Sequence, residues 1–161
     1  MKIIVMGTGF VGLTHAAVCS EYGHEVYAYD IDNTRLDAYK SGDAARIDQQ
    51  VNEPGLSAII KENQGRYLFF TDDLASIIEG ADAIFLCLPT PPAHNGSSNL
   101  SYYLTGVHDL AEKLAARQDM RRVVVINKST VPVGTARLLE GVLREHGVQN
   151  VGVASNPEFL P

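Results

Sequence analysis

The residues of this chain whose types and spacing could do chemistry are Gly7, Gly9, Gly12, Asp30, Thr90, Thr130 and Glu158. Gly7-Thr8-Gly9-Phe10-Val11-Gly12 forms a G-x-G-x-x-G run behind a short apolar stretch, Lys2–Met6, and ahead of a helical pattern from about Phe10 to Tyr22. Asp30 closes the next strand-like run, 18 residues after Gly12. That offset is where a dinucleotide-binding βαβ unit carries its acidic residue. Each position has a physical reason. Gly7 permits the tight turn, Gly9 lets the backbone approach a pyrophosphate, and Gly12 lets the helix pack closely on the strand. The helix N-terminus adds unpaired N–H groups and a positive dipole. A carboxylate at Asp30 accepts from an adenosine ribose diol and repels a 2′-phosphate, which favours NAD over NADP. Arg35 lies close enough to touch the adenosine side and weakens that preference slightly. The alternative for Asp30 is a helix cap.

Thr90 follows the apolar run Ala83–Leu88, Thr130 follows Arg122–Ile126, and Glu158 follows Asn150–Ala154. Read alone, the two threonines could be ST-turns or helix caps, and Glu158 could be solvated turn chemistry. Together with Gly7 and Asp30, however, they fall at the carboxyl ends of five predicted parallel strands. That edge is where open α/β sheets bind ligands.

The elements that must position these residues alternate along the chain. Strands are expected at Lys2–Met6, Glu25–Tyr29, Tyr67–Phe70, Ala83–Leu88, Arg122–Ile126 and Asn150–Ala154. Helices are expected at about Phe10–Tyr22, Asn33–Lys40 (capped by Asp32 or Asn33), Pro54–Glu62, Asp72–Ile78, Ser101–Arg117 and Ala136–His146. Near-continuous Val/Ile strands separated by helices imply a parallel sheet covered on both faces. Ser41–Glu53 and Pro91–Asn99 read as the loosest stretches. The expected fold is therefore α/β, a doubly wound (Rossmann) sheet of strand order 3-2-1-4-5-6, forming one domain over residues 1–161.

Composition excludes several classes. At 45% hydrophobic and 20% charged residues the chain is ordinary for a globular domain. A net charge of −6, with no basic cluster, argues against nucleic acid or an anionic membrane surface as partner. No apolar run approaches the length of a membrane span, the opening MKIIVMGTGF is too short in its apolar run to be expected as a secretory signal, and two cysteines make no disulfide framework. A cytoplasmic setting is expected. Cys19 sits four residues after His15, but two ligands alone make a poor metal site, so none is expected. Cys87 reads as mid-strand and buried, where a thiol is inert. His24, His94, His108 and His146 read as scattered on the surface, with His94 alone in a loop near the binding edge.

"GTGFVGL" with Asp30, "EPGL" at Glu53–Leu56, "PTPP" at Pro89–Pro92, "NKSTVPVGT" at Asn127–Thr135 and "SNPEFLP" at Ser155–Pro161 together resemble the UDP-glucose/GDP-mannose dehydrogenase family, over its N-terminal NAD-binding domain. "KSTVPVGT" and "NPEFL" are more specific than the glycine motif. The resemblance implies a parent enzyme that oxidises the C6 alcohol of a nucleotide sugar twice, with two NAD and a cysteine thioester between the steps. It implies that Phe10 and Val11 present N–H groups to the pyrophosphate, that Asp30 and Arg35 hold the ribose, and that Thr90 contacts the cofactor. Thr130 would position the catalytic water, and Glu158 would lie by the nicotinamide and serve in proton transfer or water positioning.

Two stretches depart from the family pattern: Asn99 stands where members often carry Asp, and Ser41–Asn52 is atypical. The family's nucleophilic cysteine, catalytic lysine and second water-binding aspartate belong to segments beyond residue 161, so the chain is expected to be a fragment, cut just past its site and inactive alone. UDP-glucose is the expected substrate of the parent, with other UDP-sugars or GDP-mannose as alternatives. An oligomeric parent and a monomeric fragment are implied. The competing readings are a β-hydroxyacid dehydrogenase, disfavoured by "STVPVGT" and "NPEFL", and a stand-alone NAD-binding module.

Overall fold

Six parallel strands form one sheet in the order β3-β2-β1-β4-β5-β6 in the computed structural model of the chain, which describes residues 1–93 and 96–158. The strands are β1 (Lys2–Met6), β2 (Glu25–Tyr29), β3 (Leu68–Thr71), β4 (Ala83–Leu86), β5 (Val123–Asn127) and β6 (Val151–Ser155). The helices are α1 (Phe10–Glu21), α2 (Asn33–Lys40), α3 (Ala44–Gln50), α4 (Leu56–Asn63), α5 (Ser101–Ala116) and α6 (Thr135–Glu145). The expected strand order and helical cover are both present.

Alternation along β1 divides the interior in two, because successive side chains leave a strand on opposite faces. Ile3 and Val5 point into a core with Leu13, Ala16 and Ala17 of α1, Leu36 and Tyr39 of α2, and Leu56 and Ile60 of α4. Ile4 and Met6 point the other way, against Val107, Leu110 and Leu114 of α5 and Leu139 and Leu143 of α6. With both faces covered, the central strands carry no polar face, which is why they read as unbroken apolar runs. Met6 pairs with Tyr29 of β2 on one side and Leu86 of β4 on the other. The strand order therefore reverses on either side of β1, and the crevice between β1 and β4 is the topological switch point.

Two expected elements differ. Asp72–Ile78 is not a helix: Ile77 N–H donates to Leu74 O (3.3 Å) and Ala81 N–H to Ile78 O (3.4 Å), while Asp73 Oδ1 accepts from Ser76 N–H. These are short turns that bury Leu74, Ile77 and Ile78 without a continuing helical ladder. Conversely, the stretch expected to be loose contains α3, whose N-cap Asp43 accepts from Arg46 N–H at 3.1 Å and whose Ile47 is buried. Helix α4 begins at Leu56, after the Pro54-Gly55 turn rather than within it.

Candidate functional site

The glycine turn is wedged against the end of β4. Gly7 has φ +93°, and a Cβ there would lie 2.4 Å from the carbonyl oxygen of Cys87. A Cβ at Gly12 would lie 1.8 Å from Gly7 O. Neither position accepts a side chain without moving backbone. Gly9 differs: nothing lies within 4 Å of where its Cβ would be, so the space over it is open. Gly9 is also the N-cap of α1, without a side-chain cap. The first α1 amides, Phe10 and Val11 among them, thus stand at an uncapped helix N-terminus beside an open backbone surface. This is the cradle an anionic diphosphate requires, and it fits a dinucleotide.

Asp30 is not a helix cap; that role falls to Asp32, which accepts from Arg35 N–H at 3.2 Å. Asp30 Oδ2 accepts from the backbone N–H and the hydroxyl of Thr8, both at 2.7 Å, and pairs with Arg35 Nη1 at 3.2 Å. Among the described residues its Oδ1 accepts only from Asp32 N–H (3.0 Å), which leaves it capacity for a further donor. Burial acts to raise the Asp30 pKa, but the Thr8 and Asp32 hydrogen bonds and the Arg35 charge outweigh it, and the carboxyl is held below its ordinary value. A group so held is ionised at neutral pH. The buried Tyr39 hydroxyl donates to Thr8 O at 2.7 Å, fixing the same turn from α2. Thr8 and Tyr39 were not singled out from sequence, although Thr8 lies inside the glycine motif itself.

On the other side of that turn a cavity of about 390 Å³ is lined by Val11, Cys87, Leu88, Thr90, Lys128, Ser129, Thr130 and Glu158. The ends of β4, β5 and β6 are laced together here. Thr90 Oγ1 donates to Thr130 O (2.9 Å), Thr130 Oγ1 donates to Glu158 O (3.2 Å), and Ser129 Oγ donates to Leu88 O (2.8 Å). The threonine hydroxyls therefore bridge separate loops and cap no helix; Leu100 and Gly134 occupy the N-cap positions of α5 and α6. Four of the expected site residues, Val11, Thr90, Thr130 and Glu158, share this cavity. Asp30 and Arg35 lie outside its lining, on the β2 side of the glycine turn, and Phe10 is exposed. His94 and Phe159–Pro161 lie outside the described residues.

Lys128 is the residue sequence reasoning missed. Its Nζ donates to Glu158 Oε2 at 2.5 Å, and its side chain is only 11% exposed. The bond and the charge of Lys128 hold the Glu158 carboxyl below its ordinary pKa. The available signal was a lysine directly after a buried strand, where a cation is rare unless paired. His15 of α1 also feels this pair: burial lowers its pKa and Lys128 lowers it further, against Glu158. Its ring packs on Phe85 (centroids 4.2 Å apart), and its Nε2 lies 3.7 Å from Cys19 Sγ.

Cys87 is not mid-strand. It sits one residue past β4, half-buried, at the cavity wall. Burial pushes its thiol up to about 12, and burial also raises that of Cys19, so neither offers a thiolate at neutral pH.

The profile of the UDP-glucose/GDP-mannose dehydrogenase family, NAD binding domain, matches residues 1–161. The UDP-glucose 6-dehydrogenase TuaD of Bacillus subtilis (strain 168) is 35% identical over 162 residues, covering 99% of this chain and 33% of that protein. Among solved structures, a ternary complex of GDP-mannose dehydrogenase from Pseudomonas aeruginosa superposes with a TM-score of 0.89 at 29% identity, covering 100% of this chain and 37% of that one. A UDP-glucose dehydrogenase from Pyrobaculum islandicum gives a TM-score of 0.84 at 32% identity, covering 99% and 36% respectively. The chain thus spans about a third of the length of these relatives.

Proposed function

From the premise that this chain belongs to the UDP-glucose/GDP-mannose dehydrogenase family, as its NAD-binding domain, we propose that it serves a nucleotide-sugar 6-dehydrogenase, with UDP-glucose the favoured substrate. The observation that carries this reading is that Thr90, Lys128, Thr130 and Glu158 rim one cavity beside the uncapped N-terminus of α1. UDP-glucose is favoured over GDP-mannose because UDP-glucose 6-dehydrogenases recur among the relatives at about 35–38% identity, against 32% for a GDP-mannose 6-dehydrogenase.

Bound NAD would supply the hydride acceptor; this chain's residues bind, orient and hold protons around it. The N–H groups of Phe10 and Val11 receive the pyrophosphate at the helix end. Asp30 Oδ1 receives the ribose diol, with Arg35 alongside, and Thr90 contacts the cofactor from the β4 end. Thr130 orients a water. Glu158, kept ionised by Lys128, can accept a proton or hold that water near the reacting carbon. Neither Cys19 nor Cys87 suits a covalent thioester step, so the nucleophile belongs elsewhere in a longer protein. A cytoplasmic oligomeric parent supplying precursors for surface polysaccharide accords with this role, with the 161-residue domain itself monomeric.

The test is an assay for NADH with the 161-residue chain, NAD and either UDP-glucose or GDP-mannose. The chain should bind NAD and produce no NADH, whereas the full-length protein should turn over UDP-glucose faster than GDP-mannose. Turnover by the chain alone at a full-length rate would refute the division of labour, and a preference for GDP-mannose would refute the substrate assignment.

A further inference from the structure

Lys128 is the sole cation and Glu158 the sole carboxylate among the described residues that line the cavity at the ends of β4, β5 and β6. His15, their neighbour on α1, has its pKa lowered by burial and by Lys128, so it adds no charge at or above neutral pH. The pair is ordered from front to back. The Glu158 side chain is 38% exposed and that of Lys128 only 11%, so the carboxylate stands towards the opening with the ammonium behind it. Both groups are held in place by the fold. Lys128 N–H donates to Leu86 O at 3.0 Å, which anchors its backbone to the end of β4. Its Nζ reaches Asn156 Oδ1 (3.5 Å) as well as Glu158 Oε2, and Thr130 Oγ1 holds the Glu158 carbonyl oxygen.

We propose that Lys128 determines how the site discriminates between the two oxidation states of its cofactor: by neutralising Glu158 it evens out the affinities for oxidised NAD and for NADH. The inference rests on the cofactor reading above, with the redox end of NAD at this cavity. The oxidised nicotinamide ring carries one positive charge and the reduced ring carries none, while the remainder of the two molecules is the same. A charge in the cavity wall therefore acts on the difference between the two forms. Ring contacts, ribose bonds and the pyrophosphate cradle act on both.

The sign of each contribution follows from Coulomb's law. A lone Glu158 carboxylate would favour the cationic, oxidised ring, and a lone Lys128 ammonium would disfavour it. In contact with each other, the two fields largely cancel beyond the pair. A unit charge about 7 Å from another changes an affinity by about five- to fiftyfold at effective dielectric constants of about 40 to 20. That is the size of the bias the pairing removes. A site that must take up one form and release the other gains from such levelling, because neither form is trapped. A lysine with a purely structural role would behave differently: its loss would weaken both forms by the same factor.

The experiment is titration calorimetry of the 161-residue chain with oxidised NAD and, separately, with NADH, read as the ratio of the two dissociation constants. At about pH 8 a carboxyl of ordinary pKa is ionised and an ordinary imidazole neutral, so removing Lys128 changes no other charge. In Lys128→Met the ratio should move at least about fivefold in favour of oxidised NAD. In Glu158→Gln it should move at least about fivefold in favour of NADH. The double variant should return close to the parent ratio, and Lys128→Arg, which keeps the charge, should preserve it. A Lys128→Met chain that binds both forms with an unchanged ratio would overturn the proposal, and so would a shift in favour of NADH. Melting midpoints show whether each variant is folded; should Lys128→Met fail, an unchanged ratio in Glu158→Gln overturns the proposal instead. These outcomes leave the cofactor reading standing. Binding of neither form by the unaltered chain up to millimolar concentration would refute that reading, and this inference with it.

Discussion

Replacing Gly12 by alanine should unfold part of the site from below, while replacing Gly9 should leave the fold alone and remove the ligand. A Cβ at position 12 would stand 1.8 Å from Gly7 O and 3.1 Å from Cys87 Cβ. The first contact is backbone against backbone, so no rotamer relieves it; α1 must slide away from β1 or the turn at Gly7 must open. Overpacking of this kind costs about 1–3 kcal/mol, more where the neighbour cannot yield, and about 3 kcal/mol is the reasonable minimum here. At about 2.1 cal/mol/K per residue, the 161 residues give an unfolding entropy near 340 cal/mol/K. Gly12→Ala should then lower Tm by about 9 °C. At Gly9, φ −69° suits alanine and no atom lies within 4 Å. The poorer N-cap costs a few tenths to 1 kcal/mol, which the lower entropy of the unfolded chain offsets. Its Tm should stay within about 2 °C of the parent, while NAD affinity falls at least tenfold because the methyl occupies the pyrophosphate approach. Differential scanning calorimetry and titration calorimetry read the two effects separately. A Gly12→Ala Tm within about 2 °C of the parent, or a Gly9→Ala chain binding NAD normally, would refute the reasoning.

Lys128→Met should raise the pKa of Glu158, because Lys128 is what depresses it; an NMR titration of the Glu158 carboxyl that does not move would contradict the pairing. Alkylation by iodoacetamide at neutral pH should label Cys87 far more slowly than a free thiol, since its pKa is pushed up to about 12; mass spectrometry showing it as reactive as glutathione would contradict its burial. Asp30→Asn should flatten the acid limb of the stability curve. The native carboxyl titrates below its ordinary value, so its contribution is present above the unfolded pKa of about 3.9 and is lost as pH falls through the native one; an unchanged acid limb in chemical denaturation would exclude that linkage.

Strand order, and the edge at which the candidate site residues gather, were legible in the sequence because both depend on patterns that burial enforces. A strand buried on both faces must be apolar throughout, as in Ile3–Met6 and Val123–Ile126, and the polar residues ending such runs must emerge at one edge. Helix α3 was not legible. Its seven residues bury only Ile47, so no period marks it, and its one signal was the Asp43 cap. The stretch around Leu74, Ile77 and Ile78 has helical spacing and does bury those residues, but the same spacing is met by successive short turns. Lys128 escaped because its partner, Glu158, lies 30 residues away, and the contact between the rings of His108 on α5 and His146 at the end of α6, 3.1 Å from Nδ1 to Nε2, escaped for the same reason. Pairings made by tertiary approach leave no local trace.

The central claim, that the glycine turn and Asp30 form an NAD site, is tested most directly by titrating the unaltered chain with NAD and with NADP under identical conditions. NAD should bind more tightly, and Asp30→Ala should narrow the difference. Equal affinities for the two cofactors in the unaltered chain would contradict the role assigned to Asp30.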